Sequence, residues 1–146
     1  MPIEPGVLDA NVLAYAVNAD ASQHTASRAL LERGRDPAVT LYVTSQILCE
    51  FYSVVTNARR FPRACSPAEA CSIVSSLLAL PGIQVLPIPA SVVAIWLDLL
   101  DRRPLRGASV FDLQIAATML ANGVKRIYTF NGGDFEVFPE LAVSAP

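Results

Sequence analysis

Val7-Leu8-Asp9-Ala10-Asn11-Val12-Leu13 is the stretch on which the fold turns. Two apolar residues open a strand, a carboxylate ends it at Asp9, and a helix follows from about Asn11. The same change recurs along the chain. Leu41-Tyr42-Val43 runs into Thr44 or Ser45, either of which can cap a helix carrying Ile47, Phe51, Val54 and Val55. A strand over 83–88 precedes a helix over 91–101. A later helix over 111–121 is closed by Asn122-Gly123. Ile127-Tyr128-Thr129-Phe130 is a last strand, running into the turn Asn131-Gly132-Gly133-Asp134. Between these lie two more helices. Ser22 caps one that runs over Ala26, Ala29, Leu30 and Leu31 to Gly34. Ser66-Pro67-Ala68-Glu69 is a capping box that opens another, to about Leu80. Short strands alternating with helices predict an α/β fold: a parallel sheet with helices on both faces and sites at the carboxyl ends of the strands.

The composition bounds the function. The 146 residues suit one domain over 1–146, with no repeat or linker. With 53% hydrophobic and 16% charged residues, the chain is not disordered. A net charge of −2 excludes a protein coated in nucleic acid; any such partner is met by a local patch. The basic residues form two clusters, Arg59-Arg60…Arg63 and Arg102-Arg103…Arg106. Cys49, Cys65 and Cys71 lack the spacing of a zinc site and are expected to be small buried hydrophobes in a reducing compartment. The start of the chain, short, acidic and broken by Pro2 and Pro5, does not resemble a signal peptide. The uncharged run over 70–97 is interrupted by Pro81-Gly82, Gln84, Pro87 and Pro89, too soon for a membrane span. A soluble, cytoplasmic protein is expected.

Four carboxylates interrupt apolar patterns. Asp9 ends the first strand, Glu50 borders the buried stripe of its helix, Asp112 opens the helix over 111–121, and Asp134 follows the last strand. Taken singly, Asp9 and Asp112 also suit helix starts, and Asp134 suits a turn. Glu50 is harder to place, because an unpaired buried carboxylate costs several kcal/mol. In an α/β fold all four approach one sheet edge. Two like charges about 5 Å apart then cost roughly 3 kcal/mol at an effective dielectric near 20. Such a cluster needs a cation, and oxygen ligands without suitable histidine select Mg²⁺ or Mn²⁺, the ions of phosphoryl chemistry.

These motifs resemble the PIN-domain family, and more closely the VapC toxins of bacterial toxin–antitoxin pairs. The residues that carry the resemblance are Leu8-Asp9-Ala10-Asn11-Val12-Leu13, Thr44-Ser45…Glu50-Phe51, 111–117 around Asp112, and 128–135 around Asp134. The resemblance implies a three-layer sandwich, a Mg²⁺-dependent ribonuclease and a cognate antitoxin. It carries catalytic roles to Asp9, Glu50, Asp112 and Asp134, the metal falling to Asp9, Glu50 and Asp112. Asn11, Thr129 and Asn131 are then the supporting polar residues. The last motif has Asn131 where many relatives have aspartate, so either Asn131 or Asp134 can approach the metal. His24 is expected to pack or cap.

Two alternatives stand beside the nuclease. A phosphatase whose first strand ends in Asp-x-Asp is disfavoured by Asn11, which cannot move a proton as a carboxyl does. A catalytically inactive PIN-like binding module is disfavoured by the four acids. Arg102, Arg103 and Arg106 enter the Asp112 helix and are candidates for RNA phosphates, suiting short single-stranded or looped RNA. An antitoxin helix is expected in a groove near 11–33 and 44–58. A homodimer is expected around Phe61 and the helix over 66–80.

Overall fold

The computed structural model describes residues 2–146. Strands β1 (Gly6–Leu8), β2 (Leu41–Val43), β3 (Ile83–Val85), β4 (Arg126–Tyr128) and β5 (Ala142–Ser144) form one sheet in the order β3-β2-β1-β4-β5. Every pairing is parallel. Helices α1 (Ala10–Ala16) and α2 (His24–Glu32) join β1 to β2, and α3 (Ser45–Val55) and α4 (Pro67–Leu78) join β2 to β3. Then α5 (Val92–Arg102) and α6 (Ser109–Ala121) lead back to β4, and α7 (Gly132–Phe135) leads to β5. Connections from β1 to β3 step one way across the sheet, and those from β3 to β5 step the other way. Right-handed crossovers therefore put α1–α4 on one face and α5–α7 on the other. Helix contacts follow this division: α1 with α2 and α3, α3 with α4; α5 with α6, α6 with α7. The expected α/β three-layer sandwich is what the chain forms.

Each strand is only three residues long, and the sheet centre is fully apolar. Val7, Leu8, Leu41, Val43 and Ile127 are all 0% exposed. Phe51 and Ile47 cover it from one side. On the other side α6 buries Leu113 and every residue from Ile115 to Met119, so it is enclosed around most of its circumference.

Several local features follow from the sequence as expected. Thr44 Oγ1 accepts from Ile47 N at 3.1 Å and caps α3. The Ser66/Glu69 capping box closes in both directions. Gly123, at φ +69°, turns the chain out of α6 behind Asn122.

Other boundaries are corrected. The Ser22 hydroxyl donates to Gln23 Oε1 instead of capping α2, which starts at His24. The helix ends at Glu32 and tightens into a 3₁₀ turn over Arg33–Arg35. The strand expected over 83–88 stops at Val85. Leu86 N still reaches Val43 O, but Pro87 has no N–H to continue the ladder. Helix α6 begins at Ser109, two residues early, which places Phe111 and Asp112 together in its first turn. The turn over 131–134 is mostly the short helix α7. Strand β5, too short for any alternation to announce it, was not expected. Cys49 and Cys71 are exposed and Cys65 is half-buried, so none is a core hydrophobe. Among the described residues no helix is long and apolar enough to cross a membrane.

Candidate active site

The chain leaves β1 toward one face and its neighbour β4 toward the other, so a crevice opens beyond their carboxyl ends. Leu8 pairs with Tyr128, which makes Asp9 and Thr129 the next residues on the two strands. Asp9 N donates to Tyr128 O at 3.0 Å and holds them side by side. The Asp9 carboxylate is 7% exposed and is held by three donors. Its Oδ1 accepts from Ala10 N at 2.8 Å, capping α1. Its Oδ2 accepts from Thr129 Oγ1 at 2.8 Å and from Asn11 Nδ2 at 3.2 Å. The capping role and the site role of Asp9 thus coexist.

Asn11 and Thr129 bind the two loops together. Asn11 Nδ2 also donates to Thr129 Oγ1 at 3.1 Å, and Asn11 Oδ1 accepts from Phe130 N at 3.2 Å. Thr129 Oγ1 in turn accepts from Asn131 N at 3.0 Å. Such a network fixes the rotamer of Asp9 and the path of the chain into α7.

Three more acids reach the crevice from other elements. Glu50 projects from α3, its Oε1 accepting from Gln46 Nε2 at 3.1 Å. The same amide nitrogen donates to Phe111 O at 2.9 Å, joining α3 to the first turn of α6. Asp112 lies in that turn, and Asp134 comes from α7. Asp9, Asn11, Glu50, Asp112, Asn131 and Asp134 line one cleft of about 750 Å³.

Electrostatics show that the acids act on one another. Burial, then the charges of Asp134, Asp9 and Glu50, push the Asp112 carboxyl from 3.8 up to about 6. Burial raises Asp9 as well, Asp134 adding to it against the hydrogen bonds from Thr129, Ala10 and Asn11. Glu50 is raised by burial and by Asp9, opposed by Gln46 and by Arg60.

Arg60 is the basic side chain lining the cleft. In sequence it lies more than two helical turns beyond Glu50, and the fold brings it back to the cleft. Arg102 donates instead to Glu140 Oε1 at 2.6 Å and to Asp98 Oδ2 at 2.9 Å, and neither it nor Arg103 nor Arg106 lines the cleft. His24 Nδ1 bonds Tyr15 O at 2.8 Å, tying the start of α2 to α1. That is the packing role expected of it.

As donors, these side chains suit a hard divalent cation. They offer carboxylate oxygens whose mutual repulsion a cation would relieve, and one arginine beside them. They stand around the cleft, not closed on a point: among the described residues, no three His, Cys, Asp or Glu side chains are grouped tightly enough to grasp one ion.

Residues 6–141 match the PIN domain family, and the chain belongs to it. Among characterised relatives, it is 41% identical over 75 residues to VapC ribonuclease Mb2897 of Mycobacterium bovis and to ribonuclease VapC43 of Mycobacterium tuberculosis. That match covers 51% of this chain and 51% of each relative, so the chain spans about half the length of the relatives it matches. In structure it resembles VapC20 of M. tuberculosis, a Sarcin-Ricin loop cleaving toxin, at TM-score 0.70 and 19% identity, covering 98% of this chain and 100% of that one. It also resembles VapBC2 from Rickettsia felis bound to a DNA fragment from their promoter, at TM-score 0.68 and 19% identity, covering 98% and 99%.

Proposed function

We propose that this chain is a metal-dependent endoribonuclease, the toxin of a toxin–antitoxin pair. The carrying observation is the convergence of Asp9, Glu50, Asp112 and Asp134 on one cleft at the strand ends. Asp9, Glu50 and Asp112 would hold Mg²⁺, or Mn²⁺ in its place. A divalent ion there supplies positive charge for the attacked phosphodiester and lowers the pKa of a bound water. The chain's own work is positioning. Thr129 and Asn11 orient Asp9, Gln46 orients Glu50, and Arg60 offers a charge to a phosphate at the cleft wall. Asp134, an exposed charge in the same cleft, is the acid of the last motif that approaches the ion; Asn131 contributes its backbone N–H to Thr129.

The named relatives support the ribonuclease reading, and a VapBC complex among the structural neighbours supports a protein partner. A second groove, about 240 Å³, suits the apolar face of an antitoxin helix. Leu13, Val17, Leu31, Phe51, Ile73 and Leu77 line it, with Arg28, Glu32 and Arg35 at its rim. The groove lies between α1, α2, α3 and α4. A two-fold dimer and a cytoplasmic setting complete the proposal.

The test is cleavage of a mixed RNA pool by the purified chain with Mg²⁺ or Mn²⁺. EDTA should abolish it, and Asp112→Asn should lower it at least about 100-fold, the scale of several kcal/mol of charge stabilisation. Full cleavage in EDTA overturns the mechanism. No cleavage with either ion favours the inactive binding module.

A further inference from the structure

Phe111 breaks the pattern set by the other phenylalanines. Phe51, Phe61, Phe135 and Phe138 are between 0% and 6% exposed, and Phe130 packs edge-on against Tyr15 with ring centroids 5.3 Å apart. Phe111 is 59% exposed, and the residue lines the acidic cleft. Its position is not that of a loose loop residue. It lies in the first turn of α6, a helix whose later turns are buried in the core, immediately before Asp112. Its carbonyl is held by Gln46 Nε2, the nitrogen that also holds Glu50. The backbone that carries the ring is therefore held beside Glu50 and Asp112.

Charge makes such a ring useful. The cleft presents four acids and, from the basic residues, Arg60, while Arg102 is taken up by Asp98 and Glu140. A polyanion gains little long-range attraction from this surface. Affinity for a nucleic acid has to come from contacts that ignore charge, and an aromatic face offers one to any base. A duplex keeps its bases stacked inside; an unpaired strand or loop can present one.

We infer that Phe111 is a stacking platform that receives one unpaired nucleobase of the RNA while the adjoining phosphate lies among the carboxylates. This rests on reading the cleft as an RNA site. Phe111 positions substrate and takes no part in the bond changes.

The probe is a mixed-sequence single-stranded RNA ten-mer pool with one 2-aminopurine, titrated in Mg²⁺ against Asp112→Asn protein so that turnover does not intervene. Binding should quench the fluorophore. Adding Phe111→Ala should weaken binding about 5- to 100-fold and remove the quenching. Phe111→Tyr and Phe111→Trp should retain both; Phe111→Leu, apolar but without a π face, should resemble Phe111→Ala. A ten-mer pool that is abasic at every position, followed through a 5′ dye by anisotropy, should bind weakly and be indifferent to Phe111→Ala. Equal melting temperatures among the variants exclude misfolding, as the exposure of the ring leads one to expect. Full binding by Phe111→Leu, or equal losses with the abasic pool, overturns the platform and leaves the ribonuclease standing. Unchanged RNA binding with an altered sedimentation coefficient also overturns it, making Phe111 a protein-contact residue. Failure of Asp112→Asn to bind RNA, together with wild-type protein that cleaves none, removes both readings.

Discussion

Thr129 is the residue on which most of the site's order depends. One buried hydroxyl donates to Asp9 and accepts from both Asn11 and the Asn131 backbone. Thr129→Val preserves shape and removes all three bonds, leaving buried groups unpaired, so it should cost about 1–3 kcal/mol in a urea melt. A value near zero would mean that water replaces the hydroxyl freely. Asp9→Asn is not a clean probe of the site. Both carboxylate oxygens accept hydrogen bonds, and an amide NH₂ must face one of the donors. Asp112 is the better position, and pH reports on it. Its folded carboxyl, near 6 against 3.8 unfolded, binds the proton more tightly in the native state. That preference favours folding below about pH 4 and is lost as pH rises through about 6. Without metal, wild-type protein should therefore lose more melting temperature across this window than Asp112→Asn, which should melt higher at pH 7. Parallel pH curves would show that Asp112 is not under this strain. The four acids were legible because carboxylates within apolar patterns are conspicuous. Gln46 and Phe111 were not, because nothing in their own segments marks them, and the basic cluster that holds Arg60 does not say which acids it will meet.

Among the elements, those with local signals were the ones the sequence announced. The capping box of α4, the Thr44 cap of α3 and the Asn122-Gly123 stop of α6 are each complete within a few residues. Strand β5 has no such signal. Its three residues are a strand only because β4 offers an edge. The turn into β3 shows a second kind of tertiary demand. A Cβ on Gly82 would meet the backbone oxygens of Val39, Asp36 and Gly34 at 2.8–2.9 Å, and none of these can swing away. Gly82→Ala should therefore destabilise by about 1–3 kcal/mol, as overpacking does. At Gly133 a Cβ meets nothing within 4 Å, so Gly133→Ala is a matched control expected to lie within about 0.5 kcal/mol of wild type. Denaturant midpoints of the two variants settle this directly; equal midpoints would mean that the β3 turn relaxes.

At the scale of the molecule, the acids' repulsion and their proposed cation make stability depend on metal. An ion present at about 100 times its Kd and bound only by the native state adds about 2.7 kcal/mol. For a chain of this size that is a rise in melting temperature on the order of 5–10 °C with Mg²⁺. Asp112→Asn should blunt the rise, and a wild-type melt indifferent to Mg²⁺ and Mn²⁺ would count against the metal site. Light scattering at high micromolar concentration, without partner, should show the dimer; a strict monomer would remove it.

The sequence by itself determined the layer order, the parallel sheet and the four candidate acids, because strand–helix alternation and misplaced charge are local properties of the chain. Only the tertiary structure decided which groups meet. Arg60 faces Glu50, Gln46 bridges α3 to α6, and Arg102 turns to Glu140 and away from the cleft. The raised carboxyl of Asp112 likewise depends on its distances to acids as much as 103 residues away in the chain, which no local pattern encodes. Crossover connections set those distances, by returning β4 to the side of β1 and opening the crevice between them.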